Sequence, residues 1–387
     1  MRTQVAIVGG GPAGLLLSQL LMRAGVETVI LERHTRDHVL SRIRAGVLEW
    51  GSVEVLRRAG VGERMDREGD VHHGVALGHT NHQFRIDFGE LCDRAVMVYG
   101  QTEITKDLYT AQDRAGANIV HEAEDVALHD LEGTPRVTWR KGGETFELTA
   151  DIVAGCDGFH GVSRRSIPAD KRTEFERVFP FGWLGVLSET PPVSPELIYS
   201  NHERGFALAS MRNPHLSRYY VQVPAEDRVE AWSDDAFWDE LRRRLPHAAA
   251  EALVTGPSIE KSIAHLRSFV CEPMRWGNLV LAGDAAHIVP PTGAKGLNLA
   301  IGDVALLADV LTRHFAGDEA ALGTYSDRAL ERVWAAIRFS VSMTMLLHRF
   351  PEQTAFEQRL QEAELHMIEH SVPARTSFAR NYTGLLV

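Results

Sequence analysis

The sequence predicts an α/β protein with a dinucleotide-binding domain, a β-sheet-rich second domain and a helical C-terminal region. Three observations support this fold class. A strand, a glycine-rich turn and a helix follow one another at the amino terminus. Short strands rich in Tyr, Phe, Trp and Val lie between residues 181 and 223, and helical periodicity dominates from residue 297 onward.

The amino-terminal segment has the element order of a Rossmann-like βαβ unit. An apolar strand over residues 5–8 precedes a glycine-rich turn, and residues 15–22 have the apolar face of a helix that packs on a sheet. A second apolar strand over residues 28–31 ends at Glu32. This order predicts a dinucleotide site, whereas the same glycines without the flanking elements would indicate only a turn.

Three glycines of this turn each have a physical reason. Gly9 permits the tight turn, Gly11 lets the backbone approach a pyrophosphate, and Gly14 allows close contact between helix and strand. The helix amino terminus then faces the phosphates. Glu32, 18 residues beyond Gly14, is placed to accept hydrogen bonds from ribose hydroxyls.

Length, charge and cysteine content narrow the class of protein. A chain of 387 residues accommodates two or three domains with buried cores. Its 41 basic and 52 acidic residues give a net charge of −11, which argues against nucleic acid or an anionic membrane as a partner. We find no secretory signal and no apolar run of transmembrane length, and the three cysteines form no CxxC pair. A reducing, cytoplasmic location is therefore expected.

The middle of the chain alternates between helical and strand-like patterns. A polar stretch over residues 33–44 precedes a helical pattern over 45–59. A helix over 103–114 is expected to be capped by Thr102 and to stop near Gly116. Strand patterns at 136–140 and 145–148 flank a Lys-Gly-Gly turn that is typical of a hairpin. Further helices are expected over 234–245, 297–315 and 320–345.

These patterns predict a discontinuous domain organisation. The dinucleotide-binding domain is expected to comprise residues 1–72, 96–180 and 268–345. The β-rich substrate domain is expected to comprise 73–95 and 181–267, joined through a strand-like piece at 74–88. Residues 346–387 are expected to form a helical interface segment.

Residues 151–164 form a second candidate motif. Asp157 lies at the end of a predicted strand beside Gly158, where an acid can fix a cofactor loop. His160 and Arg164 offer positive charge to phosphates. A plain Asp-Gly turn is the alternative interpretation.

A third motif, residues 279–298, is richer. A strand leads to Asp284, which is placed to bind a hydroxyl of a polyol chain, and two prolines precede a glycine-rich helix start. The amides of residues 296–298 at that helix start suit a negative charge on a reduced cofactor ring.

Together with six further segments, these motifs resemble the single-component FAD-dependent aromatic hydroxylases. The segments are Ser41-Arg-Ile-Arg-Ala-Gly-Val-Leu48, Tyr99-Gly-Gln-Thr-Glu103, Phe181-Gly-Trp-Leu184, Tyr199-Ser-Asn-His202, Arg218-Tyr-Tyr-Val-Gln222 and Pro290-Pro-Thr-Gly-Ala-Lys295. They are similar to those of family members that act on 4-hydroxybenzoate, and the resemblance extends from Thr3 to Tyr382.

The resemblance implies a monooxygenase that converts 4-hydroxybenzoate to 3,4-dihydroxybenzoate with FAD, a reduced nicotinamide and dioxygen. It also implies a homodimer. The alternatives are a hydroxylase of another para-substituted benzoate and a flavin-binding redox sensor. The FAD-binding residues expected from the motifs and the resemblance are Gly9, Gly11, Gly14, Glu32, Arg42, Arg44, Gln101, Asp157, Arg218, Asp284, Lys295, Gly296, Leu297 and Asn298.

A benzoate carboxylate needs a fixed cation. Arg212 follows Ser210 by two residues, which places both on one face of a strand, and arginine binds carboxylates through two parallel hydrogen bonds. Tyr220 offers a third donor. A surface arginine would be the simpler interpretation of Arg212, but the resemblance assigns the carboxylate to these three residues.

The other end of such a substrate is a phenol, whose pKa of about 10 must be overcome if it is to react as phenolate. The resemblance assigns contact with the phenolic oxygen to Tyr199, a proton relay to Tyr382 and then His72, and an acceptor to the Pro291 carbonyl. Histidine suits the solvent end because its unperturbed pKa is about 6.5. Thr292 completes the expected substrate site.

The segment Arg33-His-Thr-Arg-Asp-His38 is expected to decide the nicotinamide. Family members that use NADPH commonly have Gln and Tyr where His34 and His38 stand. Arg33, Arg36 and these histidines favour the 2′-phosphate of NADPH, whereas Asp37 opposes it and leaves NADH as the alternative. The expected nicotinamide contacts are Arg33, His34, His38, Arg42, Arg44, His160 and Arg267. No metal site is expected, because His79 and His82 lack a matching ligand set.

Overall fold

The computed structural model describes residues 1–41, 46–79 and 81–384. In chain order its strands are β1 Arg2–Val8, β2 Thr28–Glu32, β3 Val47–Glu49, β4 Asp70–His72, β5 Gly74–His79, β6 His82–Asp87, β7 Val96–Val98, β8 Asn118–His121, β9 Glu124–His129, β10 Arg136–Lys141, β11 Glu144–Gly155, β12 Thr173–Ser188, β13 Ile198–Asn201, β14 Ala207–Asn213, β15 Leu216–Pro224, β16 Ser258–Glu272, β17 Arg275–Trp276, β18 Leu279–Leu281 and β19 His287–Ile288. The α-helices are α1 Pro12–Arg23, α2 Arg36–Leu40, α3 Trp50–Arg58, α4 Glu63–Glu68, α5 Phe88–Cys92, α6 Gln101–Ala115, α7 Asp234–Arg244, α8 His247–Ala252, α9 Gly296–Phe315, α10 Tyr325–Leu347, α11 Ala355–His370 and α12 Val372–Thr383.

The first sheet has the strand order β17-β18-β11-β1-β2-β8, with β10 and β9 attached beyond β11. Strands β18, β11, β1, β2 and β8 run parallel to one another. The second half of strand β1, at the centre of this sheet, is apolar and buried on both faces; Val5, Ala6 and Ile7 are fully buried. Parallel strands end at the same edge, so the three candidate motifs converge there. The predicted Rossmann-like domain is confirmed.

The second sheet also has eight strands, in the order β19-β16-β12-β15-β14-β13-β5-β6. One face packs on α7 and α8 through a core that includes Leu184, Phe237 and Leu241. The opposite face joins a separate core with α10, α11 and α12, in which Tyr199 and Tyr382 are buried. The predicted β-rich unit and helical C-terminal region are therefore both present.

Strands β12 and β16 are long enough to bridge the predicted domain border at residue 181. They pair antiparallel from Thr173 opposite Glu272 to Ser188 opposite Ser258, with an irregularity between Val178 and Gly182. Sheet pairing thus begins before that border.

Three local predictions are wrong. Residues 47–49 belong to β3 instead of a helix over 45–59, because Val47 pairs with Val98 of β7 and the helix starts only at Trp50. The polar stretch 33–44, for which no element is predicted, contains α2, capped by the Thr35 hydroxyl. Gly100, not Thr102, is the N-cap of α6, although Gly116 ends that helix in the left-handed conformation as predicted.

The third error concerns the start of the helix predicted over 320–345. A 3-10 turn, Ala321–Thr324, precedes α10, which extends to Leu347. Elsewhere the predicted hairpin is confirmed, since β10 and β11 pair from Arg136 to Lys141 across Gly142 and Gly143. In the described part of the chain, no helix combines the length and apolarity needed to cross a bilayer.

Candidate active site

The glycine-rich turn lies between β1 and α1, at the carboxyl edge of the first sheet. Gly9 has a φ of +106°, and a Cβ there would lie 2.4 Å from the Cys156 carbonyl oxygen. A Cβ on Gly14 would lie 2.0 Å from the Gly9 carbonyl oxygen. Nothing lies within 4 Å of a Cβ built on Gly11, so the turn is open at that point. The turn therefore packs tightly against the backbone at Gly9 and Gly14, and the open space at Gly11 leaves room for a phosphate.

Glu32 ties the turn to the end of β2. Its carboxylate accepts hydrogen bonds from the amides of Gly10 at 2.7 Å and His34 at 2.8 Å. A cavity of about 230 Å³ opens beside it, lined in part by Gly9, Arg33 and His160. Both oxygens of Glu32 keep acceptor capacity for hydroxyl donors, because each carboxylate oxygen can accept more than one hydrogen bond.

Asp157 of the second motif lines the same cavity. Its Oδ2 accepts the amide of Ser163 at 2.9 Å, while its Oδ1 is buried without a partner. Burial raises the pKa of this carboxyl group. A buried acceptor without a donor is costly, so this atom fits a hydroxyl-bearing ligand.

The third motif places the exposed Asp284 in the 3-10 turn Gly283–Ala285 after β18, between two buried residues. Gly283 packs between the start of α1 and helix α9. A Cβ on this glycine would lie 3.6 Å from Ala13 and 3.2 Å from Ala300. The first and third motifs are therefore neighbours. Helix α9 begins at Gly296, and its first amides have no intrahelical acceptor.

Lys295 and Asn298 at this helix start have structural partners. The buried Lys295 ammonium donates to Glu49 Oε1 at 2.5 Å and to the Tyr382 carbonyl at 3.0 Å, and burial lowers its pKa. The Asn298 side chain donates to the Val47 carbonyl at 2.8 Å and accepts the Glu49 amide at 2.9 Å. Both side chains hold β3 beside the helix, so a cofactor ring here would meet backbone amides rather than the Asn298 amide.

The second sheet presents the substrate candidates on one face. Tyr199 is opposite Leu208, and Leu208 is opposite Tyr220, so the two tyrosines lie in one cross-strand row. Ser210 and Arg218 form the next row on the same face. Arg212 follows where the β14–β15 register shifts, and such a bulge re-aims a side chain.

Arginine charge is concentrated on this face. Arg212 Nε is buried without a partner, and its Nη1 donates to the Met211 carbonyl at 3.1 Å. Burial lowers the pKa of Arg212, and the positive charge of Arg218 lowers it further. Arg218 pairs with Glu260 at 3.0 Å and donates to Ser262 at 3.0 Å. The Ser210 hydroxyl donates to the Arg218 carbonyl at 2.6 Å.

The two predicted relay tyrosines are in contact. Their hydroxyl oxygens are 3.0 Å apart, and both side chains are buried. Burial raises the pKa of Tyr199 to about 12 and that of Tyr382 well above its usual value. Both hydroxyls are thus neutral near pH 7, and each can donate one hydrogen bond and accept another.

His72 is not joined to these tyrosines. It is buried in β4, with Nε2 3.2 Å from Asp70 Oδ2 and Nδ1 without a partner. Asp70 is exposed, so this pair reaches solvent. On the side of the cofactor helix, the Pro291 carbonyl accepts the Ala294 amide at 2.9 Å, and the buried Thr292 hydroxyl is 2.9 Å from that of Thr344.

The nicotinamide candidates form two groups. Arg33 donates from Nε to His34 at 3.0 Å, and the His34 and His38 rings stack 4.0 Å apart. In the second group the rings of Phe159 and His160 are in edge-on contact, and the Arg267 guanidinium lies 4.8 Å from the centre of the Phe159 ring. Arg33 and His160 line the same cavity, so the two groups are neighbours.

Other predicted contacts are less informative. Gln101 is the first residue of α6, and its carbonyl accepts the Thr105 hydroxyl. Arg42 and Arg44 lie outside the described residues. Among the described residues, no three His, Cys, Asp or Glu side chains are arranged so that they could hold a metal ion.

Comparison with known proteins identifies the family. Residues 2–340 match the family model described as FAD binding domain. The p-hydroxybenzoate hydroxylase of Acinetobacter baylyi is 54% identical over 387 residues, which cover 100% of this chain and 96% of that protein. The chain belongs to the p-hydroxybenzoate hydroxylase family.

More distant similarities are to other monooxygenases. The 3-amino-4-hydroxybenzoate 2-monooxygenase PtmB3 of Streptomyces platensis is 26% identical over 401 residues, covering 95% of this chain and 93% of that protein. The crystal structure of p-nitrophenol 4-monooxygenase PnpA from Pseudomonas putida matches with a TM-score of 0.79 at 18% identity over the whole of both chains. This structural likeness shows that the fold is shared.

As a member of this family the chain binds FAD, and its residues fit that cofactor. The open turn at Gly11, the unpartnered Oδ1 of Asp157 and the exposed Asp284 lie along the carboxyl edge of the first sheet. Each offers a contact of the kind that a dinucleotide with a polyol chain requires.

The sequence did not reveal one buried histidine of the substrate face. His348 accepts a hydrogen bond from Trp183 Nε1 at 2.7 Å and donates from Nδ1 to the Thr344 carbonyl at 3.0 Å. Its ring stacks on Phe181 and Phe206, and burial lowers its pKa to about 3. In the sequence, only the nearby aromatic residues indicate that His348 packs in an aromatic core.

Proposed function

We propose that this protein hydroxylates 4-hydroxybenzoate to 3,4-dihydroxybenzoate, using FAD, a reduced nicotinamide and dioxygen. The observation that supports this substrate most strongly is the pairing of two unlike groups on one sheet face. Arg212 supplies a cation with an unpartnered Nε, and Tyr199 and Tyr382 supply a buried hydroxyl pair. A ring with a carboxylate at one end and a hydroxyl at the other matches both.

The carboxylate is proposed to bind Arg212, with the hydroxyls of Ser210 and Tyr220 beside it. Two guanidinium groups, those of Arg212 and Arg218, influence each other on this face, and Glu260 neutralises only one of them directly. An anion between or beside them therefore relieves like-charge repulsion. Arginine provides two parallel donors, which also fixes the plane of the ring.

The phenolic hydroxyl is proposed to meet Tyr199 and the second lone pair of the Pro291 carbonyl. The phenol donates to Tyr199 and Tyr199 donates to Tyr382, so a proton can leave along the pair. Once it has left, both hydrogen bonds are reversed and Tyr199 donates to the phenolate oxygen. We propose that the proton then reaches solvent through His72 and Asp70. No direct hydrogen bond joins His72 to Tyr382 among the residues that the structure describes, so this step requires a bridging group. Bound FAD supplies the activation of dioxygen.

The remaining expectations are part of this proposal. NADPH is the proposed nicotinamide, supported by Arg33 and the stacked His34–His38 pair. A cytoplasmic location is supported by three free cysteines, Cys92, Cys156 and Cys271.

A homodimer is also proposed. An apolar stripe on α11 supports it: Phe356 is 72% exposed, Leu360 54% and Met367 46%. Sedimentation of the parent and of Phe356→Glu tests this assembly, which is expected to weaken in the variant.

The decisive experiment identifies the product. Purified protein with FAD, both nicotinamides and dioxygen is supplied with 4-hydroxybenzoate, 4-aminobenzoate and 3,4-dihydroxybenzoate in turn. We expect 3,4-dihydroxybenzoate from the first substrate in a one-to-one ratio with nicotinamide oxidised. Faster product formation from another benzoate would reassign the substrate, and nicotinamide-independent binding without any product would favour a sensor.

A further inference from the structure

One buried carboxylate lies behind the third motif without reaching the cofactor edge. Asp303, on α9, is fully buried. Its Oδ2 accepts the Gly283 amide at 3.0 Å and a hydrogen bond from His287 Nε2 at 2.5 Å. Its Oδ1 has no hydrogen-bond partner and lies 3.8 Å from Arg332. A carboxylate in this setting is expensive to bury, so its retention calls for a reason beyond packing.

The contacts of Asp303 all converge on one short turn. Gly283 directly precedes Asp284, and His287 follows it by three residues, so a single carboxylate oxygen clamps both sides of the Gly283–Ala285 turn. Just upstream, the Tyr325 hydroxyl donates to the Leu281 carbonyl at 2.7 Å. Helices α9 and α10 thus hold the backbone that carries Asp284.

We propose that Asp303 is a positioning residue for FAD: it fixes the Gly283–Ala285 turn and so directs Asp284 toward the cofactor. This inference rests on the proposed role of Asp284 as an FAD ligand. His287 acts with Asp303 by fixing the orientation of its carboxylate. Neither residue touches FAD, so their effect on FAD affinity passes through Asp284.

The test is a double-mutant cycle on FAD affinity, measured by titrating apoprotein with FAD and following flavin fluorescence. Asp303→Asn should raise the Kd for FAD about tenfold, because the hydrogen bonds from Gly283 and His287 then go to a neutral amide oxygen instead of a charged carboxylate and are weaker. Asp284→Ala alone should also raise Kd. In the Asp284→Ala background, Asp303→Asn should change Kd by less than about threefold, since coupled residues are not additive.

Glu240→Gln is the matched control. Glu240 is also a buried carboxylate, and it pairs with the buried Arg244. It lies on α7, which packs on the second sheet, away from the proposed FAD site. It should lower the melting temperature of the apoprotein without changing the Kd for FAD. If Asp303→Asn does not yield folded protein, His287→Ala replaces it in the same cycle.

The outcomes separate this inference from the role of Asp284. An unchanged Kd in Asp284→Ala would overturn both. A raised Kd in Asp284→Ala with an unchanged Kd in Asp303→Asn would overturn the positioning role alone. Equal effects of Asp303→Asn in both backgrounds, or a comparable change in Glu240→Gln, would show a general loss of packing and would also overturn it.

Discussion

At the scale of single residues, the carboxylate end of the site depends on where hydrogen-bonding capacity is left unused. The Ser210 hydroxyl already donates to the Arg218 carbonyl, so it retains only acceptor capacity unless it rotates. Arg212, in contrast, has a buried Nε without a partner. The guanidinium is therefore the group whose loss should affect an acidic ligand most.

Arg212→Ala should leave FAD bound but weaken 4-hydroxybenzoate binding. Removing one partner of a buried ion pair typically costs about 3–5 kcal/mol. The substrate Kd, measured by titrating the flavin absorbance, should rise by more than about a hundredfold. Arg242→Ala removes an exposed arginine and should leave that Kd unchanged. An unaltered Kd in Arg212→Ala would contradict the assigned clamp.

Tyr199→Phe should preserve substrate binding but suppress phenolate formation and hydroxylation. The hydroxyl that stabilises the phenolate would be missing, so the pKa of the bound phenol should rise. Tyr382→Phe, one step removed, should act in the same direction with a smaller effect. The absorbance of bound substrate titrated against pH measures this.

Tyr219→Phe is the control for these two variants, because Tyr219 lies in the core on the opposite sheet face. Tyr219→Phe should match the parent in phenol pKa and product yield. If Tyr199→Phe and Tyr382→Phe match the parent as well, the relay is disproved.

At the scale of elements, short segments owe their conformation to distant partners. Helix α2 is only five residues long, yet it places His38 over His34 beside Arg33. Arg36 from the same helix points elsewhere: it pairs with Asp113 at 2.8 Å and lies over Tyr109. One side of the segment therefore carries Arg33 and the stacked histidines, and the other is anchored to α6.

Arg33→Ala should lower the ratio of kcat/KM for NADPH to that for NADH. A guanidinium forms charge-assisted bonds to a 2′-phosphate that NADH lacks. Arg36→Ala, whose guanidinium is occupied, should keep the parent ratio. Steady-state rates with each nicotinamide give these ratios. A parent ratio at or below one would reject the NADPH preference, and an unchanged ratio in Arg33→Ala would reject its cause.

Elements with their own local signals were predictable, and those defined by tertiary pairing were not. The turn at Gly9 and the stop at Gly116 carry their conformation in the residue type. Strand β3 carries no such signal, because Val47 and Leu48 fit a helical pattern equally well and become a strand by pairing with β7. The site divides in the same way. Arg212 and Tyr199 are candidates that family motifs supply and their roles stay predictions, whereas two partners of the Asn298 side chain, Val47 and Glu49, lie about 250 positions away in the chain.

At the scale of the whole molecule, stability should depend on a histidine that the fold keeps neutral. Burial lowers the pKa of His348 to about 3 in the folded state. In the unfolded state its pKa is about 6.5, so the unfolded state binds more protons between these values. Stability is therefore retained above pH 6.5 and lost as pH falls toward 3, by up to about 1.4 kcal/mol per pH unit.

Urea unfolding between pH 7 and pH 5 measures this loss. His348→Gln keeps an acceptor for Trp183 but does not titrate, so its stability should fall less steeply over the same range. The exposed His247 has no such burial, and His247→Gln should retain the parent slope. Identical slopes for parent and His348→Gln would show that His348 is not the group responsible.

The hydroxyl contact between Tyr199 and Tyr382 joins residues 183 positions apart. During synthesis, the glycine-rich turn and the arginine-bearing strands leave the ribosome long before α12 does. A nascent chain can therefore acquire its FAD-binding edge while Tyr199 still lacks its partner. In the proposed relay, ionisation of the substrate has to wait until α12 docks, so the order of translation would delay reactivity until the fold around the ring is closed.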